Sequence, residues 1–197
     1  MRSFLRHVLF PAVMLLVVLT LLTGAVYPAV VTAVAQVAFP HQANGSLVTA
    51  NGQAVGSSLI GQAFSDPKYF WGRPSAAGQN GYDASGSAGT NLGPTSQQLI
   101  DNVTAAVDAA QQANGGGPVP VDLVTTSASG LDPEISPAYA QLQAPRIAKA
   151  RGVTTQQVLA VIDKYKAGRD LGFLGQPRVN VLKVNLALDR SYPYQGK

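Results

Sequence analysis

The sequence predicts an α/β (α+β) domain with a small mixed sheet and about three helices, preceded by one N-terminal transmembrane helix. Three observations carry this reading: an uncharged apolar run at the N-terminus, three stretches of helical periodicity with legible ends, and two stretches that alternate as strands do.

From Val8 to Val31 the chain is apolar except for Pro11, Thr20, Thr23, Gly24 and Pro28, and no formal charge falls between Arg6 and Asp66. As a helix this stretch is about 36 Å long, against a bilayer hydrocarbon core of roughly 30 Å, so it spans with some tilt. Pro11 lies in its first turn and Pro28 near its far end, where neither breaks the middle. Arg2 and Arg6 precede the run and the next cation is Lys68, a bias that keeps the N-terminus cytoplasmic. The competing reading is a cleaved secretory signal ending at Ala33-Val34-Ala35, but an h-region usually runs ~7 to 15 residues, and the anchor is preferred. The expected organisation is a cytoplasmic N-terminus (1–7), a transmembrane helix (8–31), a linker (32–55) and an extracytoplasmic domain (56–197).

Composition excludes several chemistries. Without Arg2 and Arg6 the chain has 12 basic against 10 acidic residues, which is no nucleic-acid footprint. It has no cysteine, hence no disulfide or thiolate metal site, and only two histidines, His7 and His41, which nearly excludes a conventional zinc or Ser-His-Asp centre.

Beyond the anchor, Asn44-Gly45 and Asn51-Gly52 are turn pairs, and the second suits a hairpin with edges at 46–50 and 53–59, if this stretch is not simply linker. Residues 64–82 hold the densest aromatic cluster, Tyr69, Phe70 and Trp71 before Arg73-Pro74, read as a loop folded onto the core by its rings in preference to a ligand platform. Thr95 with Gln98 makes a capping box for a helix that stops at Asn114-Gly115. Ser136 caps a second helix that begins with Pro137, contains Pro145 as a kink and ends at Gly152. Thr154 with Gln157 opens a third, running to Gly168. The strands are expected at Val119–Val124, where Val119, Val121 and Leu123 alternate with Pro120 and Asp122, and near the C-terminus, where Leu182, Val184, Leu186 and Leu188 alternate with Lys183, Asn185 and Asp189.

Three segments invite a functional reading. The Gly-rich stretch from Gly78 to Gly93 lacks the Gly-Lys-Ser/Thr ending of a phosphate loop and follows no apolar strand, so it is expected to be structural. Ser127 and Ser129 are not in a Gly-x-Ser-x-Gly elbow and no histidine follows; a Ser-Lys pair with Lys149 has nothing to recommend it, so this is read as a capped turn, and a secreted hydrolase lacks a base. Gln143 and Arg146 share one helical face that could meet a carboxylate or phosphate, and Asp122 and Arg73 could pair with each other or with Arg146. These four are the candidate contact residues; no catalytic or metal-binding residue is expected.

Six segments in order resemble one family. They are GSSLIGQAF (56–64) with Pro67, Tyr69-Phe70 and Arg73-Pro74-Ser75-Ala76; Asn91-Leu92-Gly93-Pro94-Thr95; VPVDLVTTSASGLDP (119–133); Gln143 with RIAKARG (146–152); Val179-Asn180-Val181-Leu182; and Asn185-Leu186-Ala187-Leu188-Asp189. Together they are similar to the KdpC family, one of the subunits of the bacterial Kdp complex, which imports potassium at high affinity using ATP. The resemblance covers nearly the whole chain, with Thr90 standing where Ser is expected. It implies a non-catalytic accessory subunit in the bacterial inner membrane, beside a potassium-binding channel-like subunit, a P-type ATPase subunit and a small hydrophobic subunit. It implies a catalytic chaperone that raises the ATPase subunit's affinity for ATP, with no cofactor of its own beyond ATP met through the complex, and Gln143 as the nucleotide candidate. The chain has no Asp-Lys-Thr-Gly phosphorylation motif and no P-loop, in keeping with an accessory role. The alternative from another class is a membrane-anchored extracytoplasmic ligand-binding module unrelated to a pump.

Overall fold

The computed structural model describes residues 4–194; Arg2 and residues 195–197 lie outside them. The chain divides into two compact units, Met1–Leu47 and Val48–Lys197.

In the first unit a continuous helix, α1 (Arg6–Ala38), runs 33 residues with no part of its apolar window buried. At ~1.5 Å per residue it is about 50 Å long, seven residues more at its C-terminal end than the predicted span. Two stretches widen to π-helix, Leu5–Leu9 and Leu22–Val26, and each ends just before a proline, Pro11 or Pro28. Proline lacks the N–H and its ring crowds the carbonyl four residues back, so the ladder shifts to a five-residue step, as in Tyr27 N–H to Leu22 O, and the helix continues. After Phe39, a single turn α2 (Pro40–Ala43) follows, and Asn44 Nδ2 donates to Gln36 Oε1 at 3.1 Å.

The second unit opens with a hairpin, β1 (Leu47–Ala50) and β2 (Gln53–Ser57). Asn51 and Gly52 both have positive φ, +52° and +77°, which is why an Asn-Gly pair stands at the turn. A three-stranded antiparallel sheet is built from β3 (Glu134–Ile135), β4 (Lys166–Ala167) and β5 (Arg178–Asn180), with β5 in the centre. Val179 lies opposite both Ile135 and Lys166.

The helices of this unit are α3 (Gln97–Asn114), α4 (Val121–Val124), α5 (Pro137–Arg151), α6 (Thr155–Tyr165) and α7 (Val181–Ser191). The α5 start is capped by the Ser136 hydroxyl, which accepts from Tyr139 N–H, and its end by Gly152 in the left-handed conformation. It runs unbroken through Pro145; the carbonyl left free, that of Gln141, belongs to an exposed residue that water can serve. Thr154 and Gln157 form the reciprocal capping box expected for α6. The core lies where α5, α6 and α7 meet β5: Ile147, Val158, Val179, Val184 and Leu188 are fully enclosed, and Phe70 joins them from the loop.

The mixed helix-and-strand class is as expected, but two predicted strands are helices. Residues 119–124 alternate only on paper: Pro120 sets the turn into α4, leaving Val121 72% exposed and Leu123 buried. Residues 182–189 belong to α7, because Val181, Val184, Asn185 and Leu188 are all buried at helical spacing and Asn180 caps the start by accepting from Lys183 N–H. The α3 cap is Ser96 instead of Thr95, with no side-chain cap bond; this register puts Leu99 at the third position and the expected box cannot close. Helix α6 stops at Tyr165, short of Gly168, because Lys166 turns extended to pair with β5.

Candidate functional site

Residues 67–73 run through the domain without a strand partner, and every carbonyl in the segment is instead taken by a side chain. Pro67 O and Tyr69 O accept from Arg146 at 2.5 and 3.2 Å, and Lys68 O from Arg151 at 2.8 Å. Phe70 O accepts from Asn185 Nδ2 at 3.0 Å, and Trp71 O from Gln143 Nε2 at 3.2 Å. Gly72 O accepts from the Tyr139 hydroxyl at 3.1 Å, and Arg73 O from the Tyr82 hydroxyl at 2.6 Å. Buried backbone outside a ladder must find partners, and here helices α5 and α7 supply most of them.

Gln143 and Asn185 do this reciprocally. Gln143 Oε1 accepts from Trp71 N–H at 2.8 Å while its amide donates back, and Asn185 Oδ1 accepts from Phe70 N–H at 2.7 Å while its amide does the same. Both amides are buried, so two successive residues of one loop are pinned from two helices. Gly72 is required beside them, because a Cβ there would overlap the Tyr82 hydroxyl.

Arg146 lays its guanidinium 3.7 Å from the Trp71 ring centre, donates to Gln143 Oε1 at 2.7 Å and reaches Asn114 Oδ1 at 3.3 Å. Among the described residues it makes no ion pair, and burial lowers its pKa to about 10. Arg151, with its side chain fully enclosed, pairs with Asp189 at 2.8 Å, and the other Asp189 oxygen accepts from the Tyr69 hydroxyl at 3.1 Å. Burial first, then the Asp189 charge, raises the Tyr69 pKa. Burial raises Tyr82 to about 12 and raises Tyr139 further, so both remain neutral donors.

The remaining candidates are separated. Arg73 pairs with Asp132 at 2.9 Å and also reaches the Thr125 and Thr126 carbonyls at 3.3 Å. Asp122 accepts from the Ser136 N–H and hydroxyl at 2.7 and 2.9 Å, bracing the start of α5. The expectation that Asp122 and Arg73 could pair with each other or with Arg146 is therefore corrected: Arg73 pairs with Asp132, and the N–H and hydroxyl of Ser136 claim Asp122. Gln143 and Arg146 lie on one face of α5, where Arg146 donates to Gln143 Oε1 at 2.7 Å, a contact the sequence analysis did not anticipate. Ser127 and Ser129 accept from the Gly130 and Leu131 N–H groups, a turn as read from sequence.

Sequence reasoning missed Asn185, Arg151, Asp189, Tyr139 and Tyr82. One signal was present: Asn185 sits at helical spacing among Val181, Val184 and Leu188, a polar residue on an otherwise apolar face.

Beside this segment opens a cleft of about 500 Å³ with mostly apolar walls, formed by Phe64, Trp71, Pro74, Tyr82 and the alanines of α3, Ala106 and Ala109. Arg73 lines it, whereas Gln143 and Arg146 do not. The side chains held here are spent on the protein's own backbone, an arrangement suited to rigidity.

The model of the family described as KdpC, K+-transporting ATPase, c chain, matches residues 9–190. A protein of Sorangium cellulosum named Potassium-transporting ATPase KdpC subunit is 57% identical over 181 residues, covering 91% of this chain and 95% of its own. Proteins with the same name from Koribacter versatilis, 53% identical over 94% of this chain and 95% of theirs, and Herpetosiphon aurantiacus, 52% identical over 96% and 97%, match over a similar extent. With the match running from the apolar helix through α7, the chain belongs to the KdpC family.

Proposed function

We propose that this chain is a non-catalytic accessory subunit of an ATP-driven, high-affinity potassium import complex, held in the bacterial inner membrane by α1. Its N-terminus is cytoplasmic and its domain extracytoplasmic, as the position of Arg2 and Arg6 ahead of an uncharged span favours. Its partners are a potassium-binding channel-like subunit, a P-type ATPase subunit and a small hydrophobic subunit. The observation that carries this reading is the match to relatives named as subunits of a potassium-transporting ATPase across nearly the full length, anchor helix included.

In this reading the subunit stabilises assembly and raises the ATP affinity of the ATPase subunit. Since ATP is cytoplasmic and the domain lies on the other side, the effect passes through the partner subunits. Gln143 then bears on nucleotide affinity by holding Trp71, which lines the cleft, with Arg146 stacked behind the same ring. Arg73 is the candidate that reaches the cleft itself, and Asp122 acts by setting the start of α5. The cleft favours a second reading, a binding site for a small apolar or planar ligand.

Deleting the chain from a cell that carries the pump tests the first reading. Potassium-stimulated ATPase activity is lost and the remaining subunits no longer co-purify in a defined complex; full activity without the chain sinks the proposal. An impermeant thiol reagent on intact cells labels Ser87→Cys if the domain faces outward, and protection there reverses the orientation. Saturable binding of a small ligand to a protein that purifies without companions supports the second reading.

A further inference from the structure

The cleft beside residues 67–73 stays open because of what α3 lays against it. At about 500 Å³ it falls within the roughly 300–1,000 Å³ of small-molecule sites. Protein interiors ordinarily close such space, yet α3 contributes Ala106, Ala109 and Ala110 to the wall, where larger apolar side chains would fill it. The aromatic part of the wall is fixed in advance. Trp71 is pinned at its N–H and its C=O by Gln143, and the Tyr82 and Tyr139 hydroxyls are tied to the Arg73 and Gly72 carbonyls. A molecule entering the cleft therefore meets rings that need no further ordering.

The chemistry of the wall restricts what that molecule can be. Among the described residues Arg73 is the one charged side chain that lines the cleft, and its guanidinium is spent on Asp132 and on the Thr125 and Thr126 carbonyls. An anion taken out of water here finds no free counter-charge. A cation fares no better, because no carboxylate lines the cleft and the Trp71 ring already carries the Arg146 guanidinium 3.7 Å from its centre. The hydrogen-bonding groups are committed too: the Ser75 hydroxyl donates to Gly130 O at 2.6 Å, and Asn114 accepts from Arg146 and donates to Ala110 O. Of the polar side chains on the wall, those of Ser65 and Asn80, both exposed, are the ones without a hydrogen bond among the described residues.

We propose that the cleft binds a small, neutral aromatic molecule, its ring against the α3 alanines and Trp71 and its one polar group at Ser65 and Asn80. This deepens the second reading of the cleft given above, on which it rests, and does not depend on the chain's place in a pump.

Para-fluorophenol, para-fluorobenzoate and para-fluorobenzylamine present one ring in neutral, anionic and cationic form at neutral pH. Each is titrated against the full chain in lipid nanodiscs and followed by its fluorine NMR linewidth, while emission from Trp71, the one tryptophan of the chain, reports the same event from the protein side. Ala106→Leu and Ala109→Leu each fill the cleft, and circular dichroism shows which of the two is folded and so serves as the control. The phenol broadens saturably and shifts the Trp71 emission, the two charged probes bind several-fold more weakly, and the folded leucine variant loses the response. A charged probe that binds as tightly as the phenol, or ATP that displaces it, overturns the ligand class while the leucine variant still upholds the cleft as a binding site. A response to every probe that the leucine variant leaves unchanged, or no response at all, sinks the cleft reading together with the proposal.

Discussion

Gln143 and Asn185 lie far apart in sequence, yet each closes the same pair of hydrogen bonds on one residue of the loop, Trp71 or Phe70. Replacing Gln143 with leucine keeps the volume but orphans a buried N–H and C=O, so stability falls by about 2 to 4 kcal/mol, a large share of the roughly 5–15 kcal/mol of a typical domain. Denaturant titration of the detergent-solubilised chain measures this; a change within experimental error means that the clamp is dispensable. Glu134 gives a pH dependence. Burial raises its pKa above the ordinary 4.5, against the opposing pull of Arg178. The folded state therefore holds its proton longer than the unfolded chain, and the stability present below about pH 4.5 is lost as pH rises through the folded value. Glu134→Gln removes that decline, so its melting temperature is flatter with pH above this point than that of the parent protein.

At the scale of elements, caps were readable where the register was unambiguous and misread where it was not. Thr154 with Gln157 closes a box, whereas Thr95 stands one residue ahead of the actual cap, Ser96. Thr154→Ala therefore costs about 1 kcal/mol while Thr95→Ala stays within roughly 0.5 kcal/mol, measured by thermal denaturation. Equal losses contradict the assigned register. The C-terminal element shows why period is a fragile signal over eight residues: Leu182, Val184, Leu186 and Leu188 alternate, but the same residues with Val181 and Asn185 also satisfy a helix. Docking decides between them. The face that meets α6 and β5 is the helical one, and Asn180 supplies the cap.

For the molecule as a whole, the long apolar helix was legible because hydrophobic length is a property of sequence alone. Its prolines were legible too, but the π-helical turns that absorb them required the backbone. Retention of α1 predicts an intact mass for membrane-extracted protein that includes the N-terminal residues. A species starting near Gln36 sinks the anchor reading, and with it the proposed route to the partner subunits. Of the site candidates, only the shared helical face of Gln143 and Arg146 followed from spacing; the hydrogen bond between them did not. The partners of Arg73 and Asp122 did not, since Asp132 and Ser136 come to them only through the folding of distant loops.

Sequence by itself determined the apolar helix, the mixed helix-and-strand class, the limits of α5 and the family, because these rest on length, local capping and ordered motifs. Tertiary structure alone decided that 182–189 is a helix and that the backbone of residues 67–73 is held by side chains of α5 and α7. A loop with no ladder has no periodicity to read, and its hydrogen-bond partners come from side chains on helices that only folding brings to it.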